Sequence, residues 1–204
     1  MNSAHQPRAP RRTTLHYGIL YGVLSGVPSG VPYGVLFSFL IMVSSTSSAM
    51  PATQSADGER ELSFFHTHTG ERLDIVYFRQ GKYAEKALTN VNFFLRDFRT
   101  GDVAAIDRNT LDIVYELKRQ LNYQGDVHIV SAYRSPKTNE MLRKKGSGVA
   151  KKSQHLEGKA IDFRLPGVDT AKLRDLAKAM RRGGVGYYHD SDFIHVDSGR
   201  VRYW

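Results

Sequence analysis

From Leu62 to Tyr83 apolar and polar positions alternate on either side of "HTGE", which predicts a β-hairpin. The period then lengthens. Ala87, Leu88, Val91, Leu95 and Phe98 share one side of a helix predicted over 85–97, and Leu111, Val114, Leu117 and Leu121 one side of a second over 109–121. "VHIVSAY" is a short β-rich run, and Pro136 opens a third helix in "SPKTNEMLRKK". "KAIDFRL" is a strand, and "DTAKLRDLAKAMRRGG" a helix with an Asp/Thr start and a Gly183-Gly184 stop. "VGYY", "FIHVD" and "RVRYW" predict three closing strands joined by tight turns. With no βαβ repeat and no nucleotide loop, the expectation is a single α+β domain over 61–204, a central antiparallel sheet flanked by helices.

The first fifty residues follow none of this patterning. Residues 1–56 hold no Asp, Glu or Lys, and their only charges are Arg8, Arg11 and Arg12. An apolar Gly/Val/Leu stretch and the small polar "SSTSSAM" follow, so residues 1–49 are expected to be an export signal cleaved near Ala49. "RRTTL" resembles a twin-arginine signal. An uncleaved membrane anchor stays open, because Gly18, Gly22, Gly26, Gly30 and Gly34 recur every four residues. Pro28 and Pro32 would break such a helix in its middle. Either route places the domain in the periplasm, after a polar linker over 50–60.

Export changes the meaning of the charge. Losing three arginines and no acidic residue lowers the formal +9 to +6. A moderately basic exported domain suits an anionic envelope polymer, and no aromatic-basic motif points to nucleic acid. A monomer is expected, touching the membrane only through its N-terminal segment if that segment is kept.

The chain has no cysteine, so any metal must sit on His, Asp or Glu. Alternation along "KAIDFRL" sets Asp162 opposite Ile161 and Phe163; along "FIHVD" it sets His195 and Asp197 opposite Ile194 and Val196. If the apolar residues enter the core, the polar ones face a cleft. His155, in a Ser/Gly-bounded loop, completes a candidate set of two imidazoles and a carboxylate, the donor set of an open zinc site. Taken singly, His155 could be an ordinary surface histidine and Asp162 a partner of Arg164. His66 and His68 form a His-x-His pair on one strand face, which fits the hairpin as well as a metal.

The longer strings decide between these. "SQHLEGKAID" reads Ser-x-His-x-x-Gly-x-Ala-x-Asp, and "FIHVDSG" reads His-x-Asp-x-Gly. Together they resemble zinc peptidases of bacterial cell-wall peptides, the superfamily of D-Ala-D-Ala carboxypeptidases and Hedgehog amino-terminal domains. With "HTGE", "RDFRTGDV", "SAYRSPKTN" and "GGVGYY", the resemblance is closer to the murein endopeptidase K group and spans residues 62–204. It implies a Hedgehog/DD-peptidase-like zinc fold, zinc on His155, Asp162 and His195, and peptidoglycan cross-links as substrate. It implies that Arg134 holds substrate and stabilises the oxyanion, and that a base stands three residues before the last ligand, at Asp192. Behind the ligands, Asp197 is expected to fix a histidine tautomer, and Ser153 to support the His155 loop. Strict alternation puts Asp192 on the Ile194 face, so a base there requires a bend at Ser191-Asp192. A zinc-dependent binding module without catalysis, and an envelope interaction protein without metal, remain the alternatives.

Overall fold

The computed structural model describes residues 58–146 and 148–204. The expected export segment at 1–49, and the expected linker up to residue 57, lie outside the described residues. Among the described residues, no helix is long and apolar enough to cross a membrane.

β1 (Arg60–His66) and β2 (Arg72–Arg79) form the expected hairpin, extended by the two-residue β3 (Lys82–Tyr83). α1 (Glu85–Phe94) stops three residues short of its expected end, and α2 (Arg108–Gln120) is capped by the Asp107 carboxylate on Asn109 N–H. β4 (Val127–Ser131) precedes α3 (Pro136–Lys144), which has Pro136 in its first turn and Ser135 as cap. β5 (Ala160–Arg164), α4 (Thr170–Met180), β6 (Gly184–Tyr188), β7 (Phe193–Asp197) and β8 (Arg202–Tyr203) complete the chain.

The eight strands form one sheet in the order β3-β2-β1-β4-β5-β7-β6-β8. The expectation of a purely antiparallel sheet is corrected: β1 pairs with β4, and β6 with β8, in parallel. Two causes are visible. α1 and α2 lie between the hairpin and β4, a connection long enough to return the chain in the starting direction. At the other edge the chain turns after β7 and passes to the far side of β6. The architecture is α+β with a mixed sheet.

Ile161, Phe163, Ile194 and Val196 are fully buried in the main core with residues of α1, α2 and α4. Period two then sends Asp162, His195 and Asp197 to the opposite face of β5 and β7. Asp162 and His195 stand directly across the ladder from one another, as do Ala160 and Asp197. The apolar alternation thus sets the register that joins two of the candidate ligands.

A candidate metal centre

His155 is delivered by a single 3-10 turn, Gln154–Glu157. Ser153 caps this turn, its hydroxyl accepting from the His155 N–H at 3.3 Å. Gly158 closes it at φ 65°, and a Cβ there would lie 2.1 Å from the Ala105 carbonyl oxygen, so only glycine fits. The turn is also tied to the loop that follows β4, because Arg134 N–H donates to the His155 carbonyl at 3.1 Å.

His155, Asp162 and His195 are brought together and buried. Asp162 Oδ1 lies 2.8 Å from His195 Nδ1 and 3.2 Å from His155 Nε2, and the two ring nitrogens are 3.1 Å apart. The other nitrogen of each ring is already bonded. His155 Nδ1 lies 2.6 Å from the Ala132 carbonyl, which can only accept, so this nitrogen carries the proton. His195 Nε2 lies 2.9 Å from the Asp197 carboxylate. With the protons placed there, two lone pairs and a carboxylate oxygen converge on one point. Three acceptors hold together only around a cation or a shared proton.

A divalent ion fits. Donors about 2.1 Å from a tetrahedral zinc lie roughly 3.4 Å apart, so the three would spread by only a few tenths of an ångström. The electrostatics agree. Burial works against the Asp162 carboxylate, but His155 and His195 overcome it and hold its pKa far below the usual range. Burial lowers the pKa of His155 and keeps it neutral, against the opposing pull of Asp162. Burial also disfavours a charged His195, yet the carboxylates of Asp162 and Asp197 outweigh it and raise its pKa, making this ring the natural holder of a proton when no ion is bound.

Asp197 is fully buried and densely bonded. Besides His195 it accepts from Arg202 at 3.0 and 2.7 Å and from the N–H groups of Gly184 and Gly199. These contacts outweigh its burial and hold its pKa well below the ordinary value. Arg134 is buried in the cavity wall, with Nη2 3.6 Å from Asp162 and its Nε unpartnered among the described residues.

Asp192 is the sequence-predicted site residue that the geometry does not bring in. The bend required at Ser191-Asp192 is present: a 3-10 turn covers His189–Ser191, and Asp192 sits at φ 50°. Its exposed side chain nevertheless turns to α4 and accepts from the Thr170 hydroxyl, and it does not line the cavity of about 630 Å³ over the donors. A base role for Asp192 would require this exposed side chain to leave Thr170 and turn toward the cavity. Among the described residues His66 and His68 belong to no group of three or more metal-capable side chains; His66 is buried against Phe94 and Phe98, and its Nδ1 accepts from His68 N–H.

Three residues of the site were missed. Asp97, buried in the loop after α1, accepts from the N–H groups of Ser135 and Arg99 and thereby anchors the loop that carries Arg134. "RDFRTGD" lies inside the resembling stretch, but nothing in its spacing reveals a partner 38 residues away. Arg202 reaches Asp197 from β8. Trp204 lies against His195, ring centroids 5.1 Å apart, over Gly186, where a Cβ would strike the indole.

A buried His-Asp-His group on the polar face of a mixed sheet, with an arginine in the cavity wall, could hold a metal ion as metallopeptidases do. The family described as peptidoglycan L,D-endopeptidase MepK matches residues 54–204, and the chain belongs to that family. It is 40% identical over 153 residues to the peptidoglycan L,D-endopeptidase MepK of Escherichia coli (strain K12), covering 75% of this chain and 84% of the relative. It is 38% identical over 163 residues to a probable peptidoglycan L,D-endopeptidase MepK of Haemophilus influenzae, covering 79% and 88%.

Proposed function

We propose that the chain is an exported zinc peptidase that hydrolyses amide bonds in the peptide cross-links of peptidoglycan. The observation that carries this reading is the convergence of three acceptor atoms within 3.2 Å under a cavity, in a chain whose relatives are named as peptidoglycan endopeptidases. His155 Nε2, Asp162 Oδ1 and His195 Nδ1 are the donor atoms. Zinc held there would polarise the scissile carbonyl and acidify the attacking water.

The remaining work belongs to the protein. Arg134, which lines the cavity with Nη2 3.6 Å from Asp162, is the group that would stabilise the oxyanion developing on that carbonyl. Ala132 and Asp197 hold the two ring protons away from the centre, so both histidines arrive as ligands without a tautomer change. Trp204 covers one side of His195 and limits water there. Catalysis is favoured over a binding module because the named relatives are endopeptidases.

Purified peptidoglycan incubated with the protein and zinc should lose cross-linked peptide dimers and gain single stem peptides by mass spectrometry. Following the relatives' name, the cut should fall between an L- and a D-centre. Zinc-loaded protein that leaves every cross-link intact would overturn the reading. Export is supported by the basic, apolar and small-residue order of residues 1–49. A reporter fused to residues 1–55 should leave the cytoplasm, and Arg11→Lys with Arg12→Lys should stop it if the twin-arginine route is used.

A further inference from the structure

The cavity above the donor atoms is strongly unbalanced in charge. Arg134, Lys152, Arg200 and Arg202 line it, and Asp162 is the one carboxylate among its described lining residues. Two of these cations are engaged. Arg202 is committed to the buried Asp197, and Arg134 lies beside Asp162. Lys152 and Arg200 are exposed, and neither forms an ion pair among the described residues.

Their backbones adjoin the segments that carry His155 and His195. Lys152 immediately precedes Ser153, the cap of the turn that carries His155. Arg200 sits in the turn leaving β7. That turn is pinned at Gly199, whose N–H bonds to Asp197, and at the Arg200 carbonyl, which accepts from Arg202 Nη1 at 3.1 Å. Two cations without an ion pair among the described residues thus stand at the rim on the segments that place His155 and His195. A bound divalent ion would make the cleft more positive still, and a neutral peptide gains nothing from that field. A peptide bearing an ionised carboxylate near the cut bond does.

We infer that Lys152 and Arg200 form a carboxylate subsite, by which the cleft prefers cross-link peptides with a free carboxylate beside the scissile amide over the same peptides carrying a carboxamide there. The inference rests on the peptidoglycan reading and names the chemical feature that the cleft selects. Each contact is exposed, so each contributes no more than about fivefold, and the pair about 5- to 25-fold. Preference should shrink as ionic strength rises, because exposed charges are screened.

The test uses the zinc-loaded protein, purified as the host exports it, and two synthetic cross-linked peptides that differ only in that acid or amide. The wild type should favour the acid about 5- to 25-fold in kcat/KM, mainly through KM. Lys152→Met with Arg200→Gln should erase the preference while leaving the amide's turnover unchanged, and Lys152→Arg with Arg200→Lys should keep it. Equal kcat/KM for acid and amide in the wild type would overturn the subsite, as would a double variant that loses both substrates equally. Calorimetry with the acid and amide forms of the product peptide repeats the comparison without turnover. No acid preference in binding rejects the subsite even if neither substrate is cut, whereas an acid preference without cleavage keeps the subsite and rejects the peptidase.

Discussion

Asp192 and Asp197 are five residues apart on one strand and its approach, and they make opposite predictions. Asp197 fixes the His195 proton, and its carboxylate is held by Arg202 and two backbone N–H groups. Asp197→Asn should weaken zinc binding about 10- to 100-fold, the usual effect of removing a ligand's hydrogen-bond partner, as read by competition with a chromogenic chelator. Asp192→Asn should leave zinc affinity and turnover near wild type, since its partner is Thr170. A thousandfold loss of rate there, with zinc retained, would restore it as the base. A third residue governs pH. Burial lowers the His66 pKa to about 4, from an ordinary value of 6.5. Above pH 6.5 the ring is neutral folded or unfolded. Between 6.5 and 4 only the unfolded chain takes up the proton, so stability falls as pH drops through that window, by about 2 kcal/mol at pH 4.5. Denaturant unfolding of wild type and His66→Phe at pH 7 and 4.5 should show a smaller pH-dependent loss in the variant by this amount.

Among the elements, local pattern was a good guide wherever one face is buried. The hairpin, four helices and the core strands β4, β5, β6 and β7 are all legible in the sequence, and the alternation around Ile161 and Ile194 sets Asp162 and His195 opposite the core. The errors lie where tertiary contacts decide. The parallel pairing of β1 with β4 depends on how two helices return the chain, which no local period encodes. The bend before β7 was expected, but its αL residue aims the side chain at α4, a direction that alternation cannot supply. Asp97, Arg202 and Trp204 act through partners distant in sequence, and single motifs do not announce such partners. Asp112 on α2 is of the same kind. It binds Tyr77 and Tyr83 at 2.8 and 2.7 Å and Arg60 at 2.6 Å, fastening α2 to all three strands of the hairpin end. Asp112→Ala leaves a buried tyrosine hydroxyl unpaired and should cost about 3 kcal/mol in chemical denaturation. Zinc affinity of the folded variant should not change, since the contact lies on the helix-covered face of the sheet.

At the scale of the whole molecule, one sheet divides two tasks. Its apolar face binds the helices and sets the register; its polar face collects Asp162 and His195 from two strands, the capped His155 turn and the arginine loop. The central claim is that this second face is a zinc centre that hydrolyses cell-wall peptides. The most direct test is zinc content and cross-link hydrolysis measured together on wild type, His155→Ala and His195→Ala. The account predicts about one zinc per chain in the wild type, loss of both metal and hydrolysis in each variant, and recovery of chelator-stripped wild type on adding zinc. Stoichiometric zinc in His155→Ala with His195→Ala, or undiminished hydrolysis by metal-stripped protein, would contradict it.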